Sequence, residues 1–154
     1  MLIRNACLWL DGQARPGMEL RLMHGAVQEI GCGLVKGLYE SELDLQGDLL
    51  LPGMVIAHTP VTAAELRQLY RQGVALVATD AAVPGRVMPR SARTILVPRE
   101  RLMLLPGVPS PWTPLPDWDE LEPYRRIRPG SPSPLSRWTQ DGIFVSVIDE
   151  HTAD

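Results

Sequence analysis

Nine prolines lie within the twenty-nine residues 106–134, and no other feature of the sequence constrains the fold as strongly. Because proline fixes φ and lacks an N–H, this density excludes long helices and central strands. The backbone that remains is extended or polyproline chain, which wraps a surface or stays mobile. We therefore predict a proline-rich strap over 106–140, between a folded β-rich body (1–105) and a last segment (141–150).

The first fifty residues carry only short β-strand patterns. Apolar and aromatic residues fill 2–10, and Asp11-Gly12 then predicts a tight turn. Apolar and polar residues alternate over 18–23, and a further short strand follows the His24-Gly25 turn. Residues 18–30 are therefore predicted to form a hairpin, and 43–45 another short strand.

A different pattern begins near residue 49. The apolar run 54–57 and the run 74–78 lack alternation, which is typical of strands buried on both faces. Between them Thr62 and Glu65 form a capping box, and Gly73 supplies a helix stop. The sequence therefore predicts a helix over 62–72 and one β-α-β unit over 54–78.

Later elements are less regular. Residues 94–97 and 102–105 have the composition of strands, and they are predicted to pair across 98–101. Asp141-Gly142 precedes the apolar segment 143–148, which is predicted to be the last strand.

Composition excludes several function classes. A length of 154 residues fits one domain, and a net charge of −3 suggests neither nucleic acid nor anionic membrane as a partner. Cys7 and Cys32 are too few for a disulfide framework and are expected to be small buried side chains in a reducing compartment. The longest apolar run, 49–57, is too short for a membrane span. We therefore expect a cytoplasmic protein.

The first eighty residues resemble the start of an amidohydrolase-superfamily chain, the group that contains dihydroorotase, cytosine deaminase and hydantoinase. The matching stretches are Ile3-Arg4-Asn5-Ala6, Gly25-Ala26-Val27-Gln28-Glu29-Ile30-Gly31, Leu43-Asp44-Leu45-Gln46-Gly47 and Leu50-Leu51-Pro52-Gly53-Met54-Val55-Ile56-Ala57-His58. The resemblance implies a small β-sandwich beside a (β/α)8 barrel. Because a barrel needs at least about 200 residues, we predict a β-rich α+β fold that keeps the sandwich and one β-α-β unit without a complete barrel. The segment 143–148 is then expected to return to the sandwich, as late strands of the family do.

The metal motif of that family is degenerate in this chain. The family continues as Asp-x-His-x-His, in which alternate residues of a strand ligate the metal from one face. Here the three positions are Ile56, His58 and Pro60, and proline cannot replace a nitrogen ligand. The resemblance also implies later histidines and a general-base aspartate, but His24, His58 and His151 are the only histidines.

His58 remains the one candidate for a relic metal ligand. It could also belong to a reduced site with Asp80, or with Asp149, Glu150 and His151, or be a strand-end histidine with a local hydrogen bond. Asp80 follows a buried strand, where α/β proteins place chemistry, but turn residues also occupy such positions.

A second candidate site combines aromatic rings with arginines. Its residues are Trp112, Trp118, Tyr124, Arg125, Arg126, Arg128 and Trp138. Such a set can bind a planar or anionic ligand or a partner protein, or the rings can anchor the strap to the body.

The leading hypothesis is a non-catalytic amidohydrolase-like protein that oligomerises or binds a partner subunit. Strands 54–57 and 74–78 require cover on both faces, and one helix covers only one. The proline-rich stretch 106–134 or a second chain must cover the other, and we expect a dimer that uses this surface. Two alternatives stay open: a subunit of a split C–N bond hydrolase completed by another chain, and a small-molecule binding module. No cofactor is expected, and zinc only if another chain completes the site.

Overall fold

A computed structural model describes residues 1–58, 62–80, 93–108, 110 and 112–148. Within them the strands are, in chain order, β1 (Leu2–Leu10), β2 (Gln13–Met23), β3 (Ala26–Gly31), β4 (Glu42–Asp44), β5 (Leu49–Leu51), β6 (Met54–Ala57), β7 (Val74–Thr79), β8 (Arg93–Leu96), β9 (Leu135–Trp138) and β10 (Phe144–Val147). The helices are α1 (Ala63–Arg71), α2 (Arg99–Leu102) and a 3-10 helix, Asp119–Tyr124. The predicted β-rich α+β fold, without a closed barrel in these residues, is confirmed.

The larger sheet has seven strands and is built around β1. Its order is β10-β9-β5-β1-β2-β3, and β4 pairs in parallel with the first half of β1. β2 is antiparallel to β1, β5 is parallel to it, and β9 is antiparallel to β5. Because strand side chains alternate between faces, Ile3, Leu20 and Leu50 share one face and form a core with Leu135 and Val147. Early and late segments of the chain therefore share one sheet.

The smaller sheet consists of β6, β7 and β8, which are all parallel. α1 lies between β6 and β7 in the chain, and its capping box is formed. Thr62 Oγ1 accepts a hydrogen bond from the Glu65 backbone N–H at 3.2 Å, and Glu65 Oε2 accepts one from the Thr62 N–H at 3.0 Å. The helix ends before Gly73, whose φ of +91° favours glycine. Among the described residues no helix is long and apolar enough to cross a membrane.

Both faces of the smaller sheet are covered by this chain. On one face Ile56 and Val77 pack against Leu66 of α1. On the other face the strap supplies a second apolar layer, in which Leu121 and Tyr124 are buried. The buried residues of this second cluster, among those described, are Val55, Ala75, Leu76, Ala78, Val97, Leu105, Leu121 and Tyr124. The strap, one of the two covers predicted for this face, is therefore present, and the predicted dimer is not needed to cover it.

The predicted hairpin over 94–105 is also wrong. Its first half is β8, which pairs in parallel with β7. Its second half begins in α2, whose first turn closes when the backbone N–H groups of Arg101 and Leu102 donate to the Pro98 carbonyl at 3.0 and 3.1 Å. Parallel pairing with β7 satisfies the backbone N–H and C=O groups on that side of β8. The turn of α2 then packs Leu102 against the strap-covered cluster.

Side-chain hydroxyls join the two sheets. Ser136 of β9 donates to the Gly73 carbonyl at 2.6 Å and accepts from the Met54 N–H at 3.3 Å. Ser146 of β10 accepts a hydrogen bond from the Gly73 N–H at 3.0 Å. Gly73 follows α1 and Met54 begins β6. Strands β9 and β10 of the larger sheet are therefore hydrogen-bonded to the β-α-β unit at both of these points.

Candidate functional site

His58 follows β6 directly, at the carboxyl end of the smaller sheet. Its backbone N–H donates to the Ala78 carbonyl at 3.1 Å and so extends the pairing with β7. Residues two apart on a strand lie on one side, and Ile56 packs against Leu66 of α1. His58 turns the same way, since its Nε2 lies 3.5 Å from Glu65 Oε2. The imidazole therefore faces the first turn of α1 rather than the strap.

A cavity of about 370 Å³ opens beside this histidine. Asp80, which follows β7, and Arg99, which begins α2, stand on its walls with His58, and its apolar lining is Ala57, Leu102 and Met103. Ligands of α/β proteins bind at this edge of the sheet. The structure thus brings His58 and Asp80 to one cavity, where an imidazole, a carboxylate and a guanidinium can bind a small polar molecule.

The residues present do not fit the metal centre that the family resemblance implies. A catalytic zinc site uses three protein ligands, and across the described ranges no three His, Cys, Asp or Glu side chains are grouped to hold a metal. Glu65 Oε2 lies 3.5 Å from His58 Nε2 and already accepts the capping hydrogen bond of Thr62. Pro60, Asp149, Glu150 and His151 lie outside the described residues. No metal-dependent step follows from this geometry.

Trp112 and Trp138 belong to a row of four aromatic rings that ties the strap to the larger sheet. Trp112 contacts Trp9 of β1 edge-on, with ring centroids 5.2 Å apart, and Trp138 of β9 at 5.4 Å. Trp138 in turn contacts Phe144 of β10 at 5.0 Å. Aromatic pairs are favourable at 4.5–7 Å, so the row fastens the strap across three strands.

Trp118 and Tyr124 lie elsewhere, on the smaller sheet. Tyr124 is buried beside Leu121 in the strap-covered cluster, and Trp118 packs at its edge. The Arg101 guanidinium carbon stands 4.1 Å from the centroid of the Trp118 ring, and the same group pairs with Glu120 at 3.0 Å. This cation–π contact holds α2 against the strap.

Arg125 fixes a turn of the strap. Its guanidinium donates to the Leu115 carbonyl at 3.1 Å and to the Pro116 carbonyl. Its Nε lies 3.2 Å from Glu122 Oε2 without the alignment of a hydrogen bond. Part of the donor capacity of Arg125 is therefore already used within the strap.

Three arginines share few acidic partners at this point. Glu122 lies 3.2 Å from Arg125 and 3.6 Å from both Arg126 and Arg128. Among the described groups, the only other carboxylate close to Arg125 is that of Asp117, which is fully exposed and lies 3.7 Å away. By its contacts the predicted aromatic–arginine set divides into an aromatic row, a buried ring cluster and an arginine group. Three of its members, Trp112, Tyr124 and Arg125, nevertheless line one cavity.

Sequence reasoning missed three members of these sites: Trp9, Arg99 and Arg101. Trp9 carries a usable signal, because it alternates with the buried Leu8 on β1 and so places a large ring on the opposite face. The two arginines carry none, because α2 was not predicted and only the fold brings them to His58 and Trp118.

Comparisons with known proteins find partial structural similarities. No protein-family profile and no curated protein matches the chain. Among solved structures, an amidohydrolase is similar over 51% of this chain and 25% of its own, with 18% identity and a TM-score of 0.45. D-hydantoinase from Thermus sp. is similar over 51% of this chain and 19% of its own, with 13% identity and a TM-score of 0.44.

A third similar structure is the β-aspartyl dipeptidase of Fervidobacterium islandicum, over 51% of this chain and 24% of that chain, with 24% identity and a TM-score of 0.39. The chain spans about a quarter or less of the length of these three enzymes. All three are amidohydrolase-superfamily enzymes, as the sequence resemblance predicts. Likeness at this level describes a partial fold and assigns neither activity nor substrate: the chain resembles a portion of an amidohydrolase.

Proposed function

We propose that the chain is a non-catalytic amidohydrolase-like module that assembles with a second copy of itself along the β8 edge. The observation that carries the proposal is the open edge of the smaller sheet. Within the described residues β8 pairs with β7 and with no other strand. The unpaired N–H and C=O groups of an edge strand are a template for pairing with another chain.

Apolar side chains accompany this edge. Leu96, the last residue of β8, is 66% exposed, and Met103 just after α2 is 81% exposed. Leu104 and Val108, farther along the same segment, are exposed as well. Where such side chains form one contiguous patch, the patch marks an interaction site.

A second copy is the occupant that this edge suits. A two-fold axis brings the same patch of both copies together, so apolar residues meet apolar residues and β8 meets β8 antiparallel. The strap closes one face, and at the β6 edge the Ala57 N–H donates to the Pro106 carbonyl at 3.0 Å. Among the described residues this favours the β8 edge for assembly. The proposal that the chain is non-catalytic rests on the residue types of the motif, because Ile56 and Pro60 stand at two of its three positions and neither side chain can ligate a metal.

Light scattering at micromolar concentration tests the assembly. We expect about twice the chain mass of 17.0 kDa for the wild-type protein and a single chain mass for Leu96→Glu, because a carboxylate is costly to bury at the seam. Leu38→Glu is the matched control, since Leu38 is 87% exposed in the loop between β3 and β4. A wild-type monomer, or dissociation by both variants, would contradict the proposal.

The cavity beside His58 and Asp80 favours one other candidate, a subunit of a split C–N bond hydrolase whose site another chain completes. Elemental analysis and assays on dihydroorotate, hydantoin and N-acetyl sugars separate the two. We expect neither stoichiometric zinc nor hydrolysis, because three metal ligands are required. About one zinc per chain, lost in His58→Ala and kept in His24→Asn, would support the split enzyme instead.

A further inference from the structure

A second cavity, of about 300 Å³, lies at the amino-terminal start of β6, the end of the strand opposite to His58. Its floor is the chain that leads from β5 into β6, and its roof is the strap. The rings of Trp9, Trp112 and Tyr124 and the guanidinium of Arg125 all contribute to its walls. The cavity therefore places three aromatic rings and one cation around a single space.

The aromatic walls favour a flat apolar body. Trp112 is 49% exposed although it contacts two other indoles, so much of its ring surface remains in water. Covering apolar surface is favourable in proportion to the area removed from water. A planar ring in the cavity would cover that surface and meet Trp9 and Trp112 at stacking or edge-on distance.

The cavity is large enough for two rings. A cavity of about 150 Å³ lined by apolar side chains binds benzene, and this one has about twice that volume. Ligand pockets of about 300 Å³ are at the small end of the range for proteins. A bicyclic molecule matches this size.

The positive charge of Arg125 on the cavity wall favours an acidic ligand. Arg125 has five N–H donors, of which carbonyls of Leu115 and Pro116 take two. Three guanidinium groups compete for Glu122, and the other nearby carboxylate, Asp117, is fully exposed. The Nε of Arg125 is buried against Glu122, but each terminal nitrogen keeps one N–H beyond those carbonyls, and this leaves donors and positive charge for an anion in the cavity.

We propose that this cavity is a binding site for a planar aromatic carboxylate of about two fused rings, packed against the exposed surface of Trp112 and Trp9 with its carboxylate on Arg125. The site is at the other end of β6 from the strand ends where His58 lies, and it is independent of assembly through β8. It requires no metal and no reaction.

Isothermal titration calorimetry with 2-naphthoate tests the site on the full chain. We expect saturable binding, weakened about tenfold or more by Thr113→Phe, because Thr113 is an exposed lining residue and a phenyl ring would fill the space. Leu38→Phe, which adds the same ring at an exposed residue outside the lining, should bind as the wild type does. No binding by the folded wild-type protein, or equal binding by Thr113→Phe, would overturn the proposal.

The uncharged analogue 2-naphthamide tests the role of the arginine. We expect it to bind about tenfold or more weakly than 2-naphthoate, as the loss of a charge-assisted hydrogen bond implies. Equal affinity of the acid and the amide would overturn the assignment of Arg125 as the carboxylate partner. The mass of the complex, measured by light scattering in the same samples, keeps this result separate from the assembly proposal.

Discussion

Glu40 is a nearly buried carboxylate, with only 10% of its side chain exposed, in a group of cationic and N–H neighbours. Arg21 Nε donates to its Oε1 at 2.7 Å, the Gly37 N–H donates to its Oε2 at 2.8 Å, and the Met1 amino group lies 3.9 Å away. The hydrogen bond from Arg21 is the largest cause that lowers the pKa of Glu40 below its ordinary value; burial opposes it, and the Gly37 N–H reinforces it.

This depressed pKa predicts a loss of stability in acid. The contribution of Glu40 is fully present above the pKa of an unfolded glutamate, about 4.3, and is lost as the pH falls through the lower folded pKa. We therefore expect the free energy of unfolding of the wild type to fall more steeply below about pH 4.3 than that of Glu40→Gln. Urea unfolding across this range measures it, with Glu100→Gln at an exposed site of α2 as control. Parallel curves for wild type and Glu40→Gln would refute the assignment.

At the scale of secondary-structure elements, the N-terminal cap of α1 offers the clearest test of what stabilises a helix in this chain. Thr62→Ala removes the hydroxyl that accepts from the Glu65 N–H and leaves that donor without its partner. A lost N-cap costs roughly 0.5–2 kcal/mol, so the denaturation midpoint should fall while the m-value is unchanged. Thr113→Ala is the matched control, because Thr113 is exposed and caps no helix. An unchanged midpoint for Thr62→Ala would count against the role of the cap.

Elements whose signals are local could be predicted from the sequence. The alternation of β2, the non-alternating runs of β6 and β7 and the capping box of α1 each lie within a few residues, and the structure has all of them. The error over 94–105 is of another kind. Parallel pairing of β8 with β7 joins residues that are well separated in the chain, and no local pattern distinguishes it from a hairpin.

The sequence pattern does not predict β9, for a related reason. Leu135-Ser136-Arg137-Trp138 is four residues long and follows the proline-dense segment, so its composition alone indicates strap rather than strand. It becomes a strand because β5 and β10 lie on either side of it and satisfy its backbone groups. Ser136 is then completely buried at the joint between the two sheets, where its hydroxyl finds partners on Gly73 and Met54.

At the scale of the whole molecule, the same limit applies to the candidate sites. His58 and Asp80 could be placed near one another, because both follow strands of one predicted β-α-β unit whose carboxyl ends meet. The aromatic–arginine residues could not be sorted, because proximity in sequence does not say which sheet each ring meets. Trp112 reaches the larger sheet, whereas Trp118 and Tyr124 reach the smaller one. The strap is therefore a bridge over both sheets.

A substitution at Gly53 tests whether the stability of both sheets depends on the packing at the turn between β5 and β6. It leads from β5 into β6, and a Cβ added to it would overlap the Pro134 carbonyl oxygen on one side and the Ala75 Cβ on the other. One neighbour precedes β9 in the larger sheet and the other lies in β7, so a side chain at Gly53 would force the sheets apart. Neither contact is the flexible end of a side chain, and overpacking a closed site costs about 1–3 kcal/mol, occasionally more.

We therefore expect Gly53→Ala to lose about 3 kcal/mol or more, at the upper end of that range, and to lower hydrogen-exchange protection in β1 and β7 together. Gly107→Ala is the matched control, because a Cβ there meets no atom within 4 Å, and it should stay within about 0.5 kcal/mol of the wild type. Loss of protection in β7 alone would show that the larger sheet is stable without the β-α-β unit. The two sheets would then be separate folding units that the strap merely connects, rather than one body held at the turn between β5 and β6.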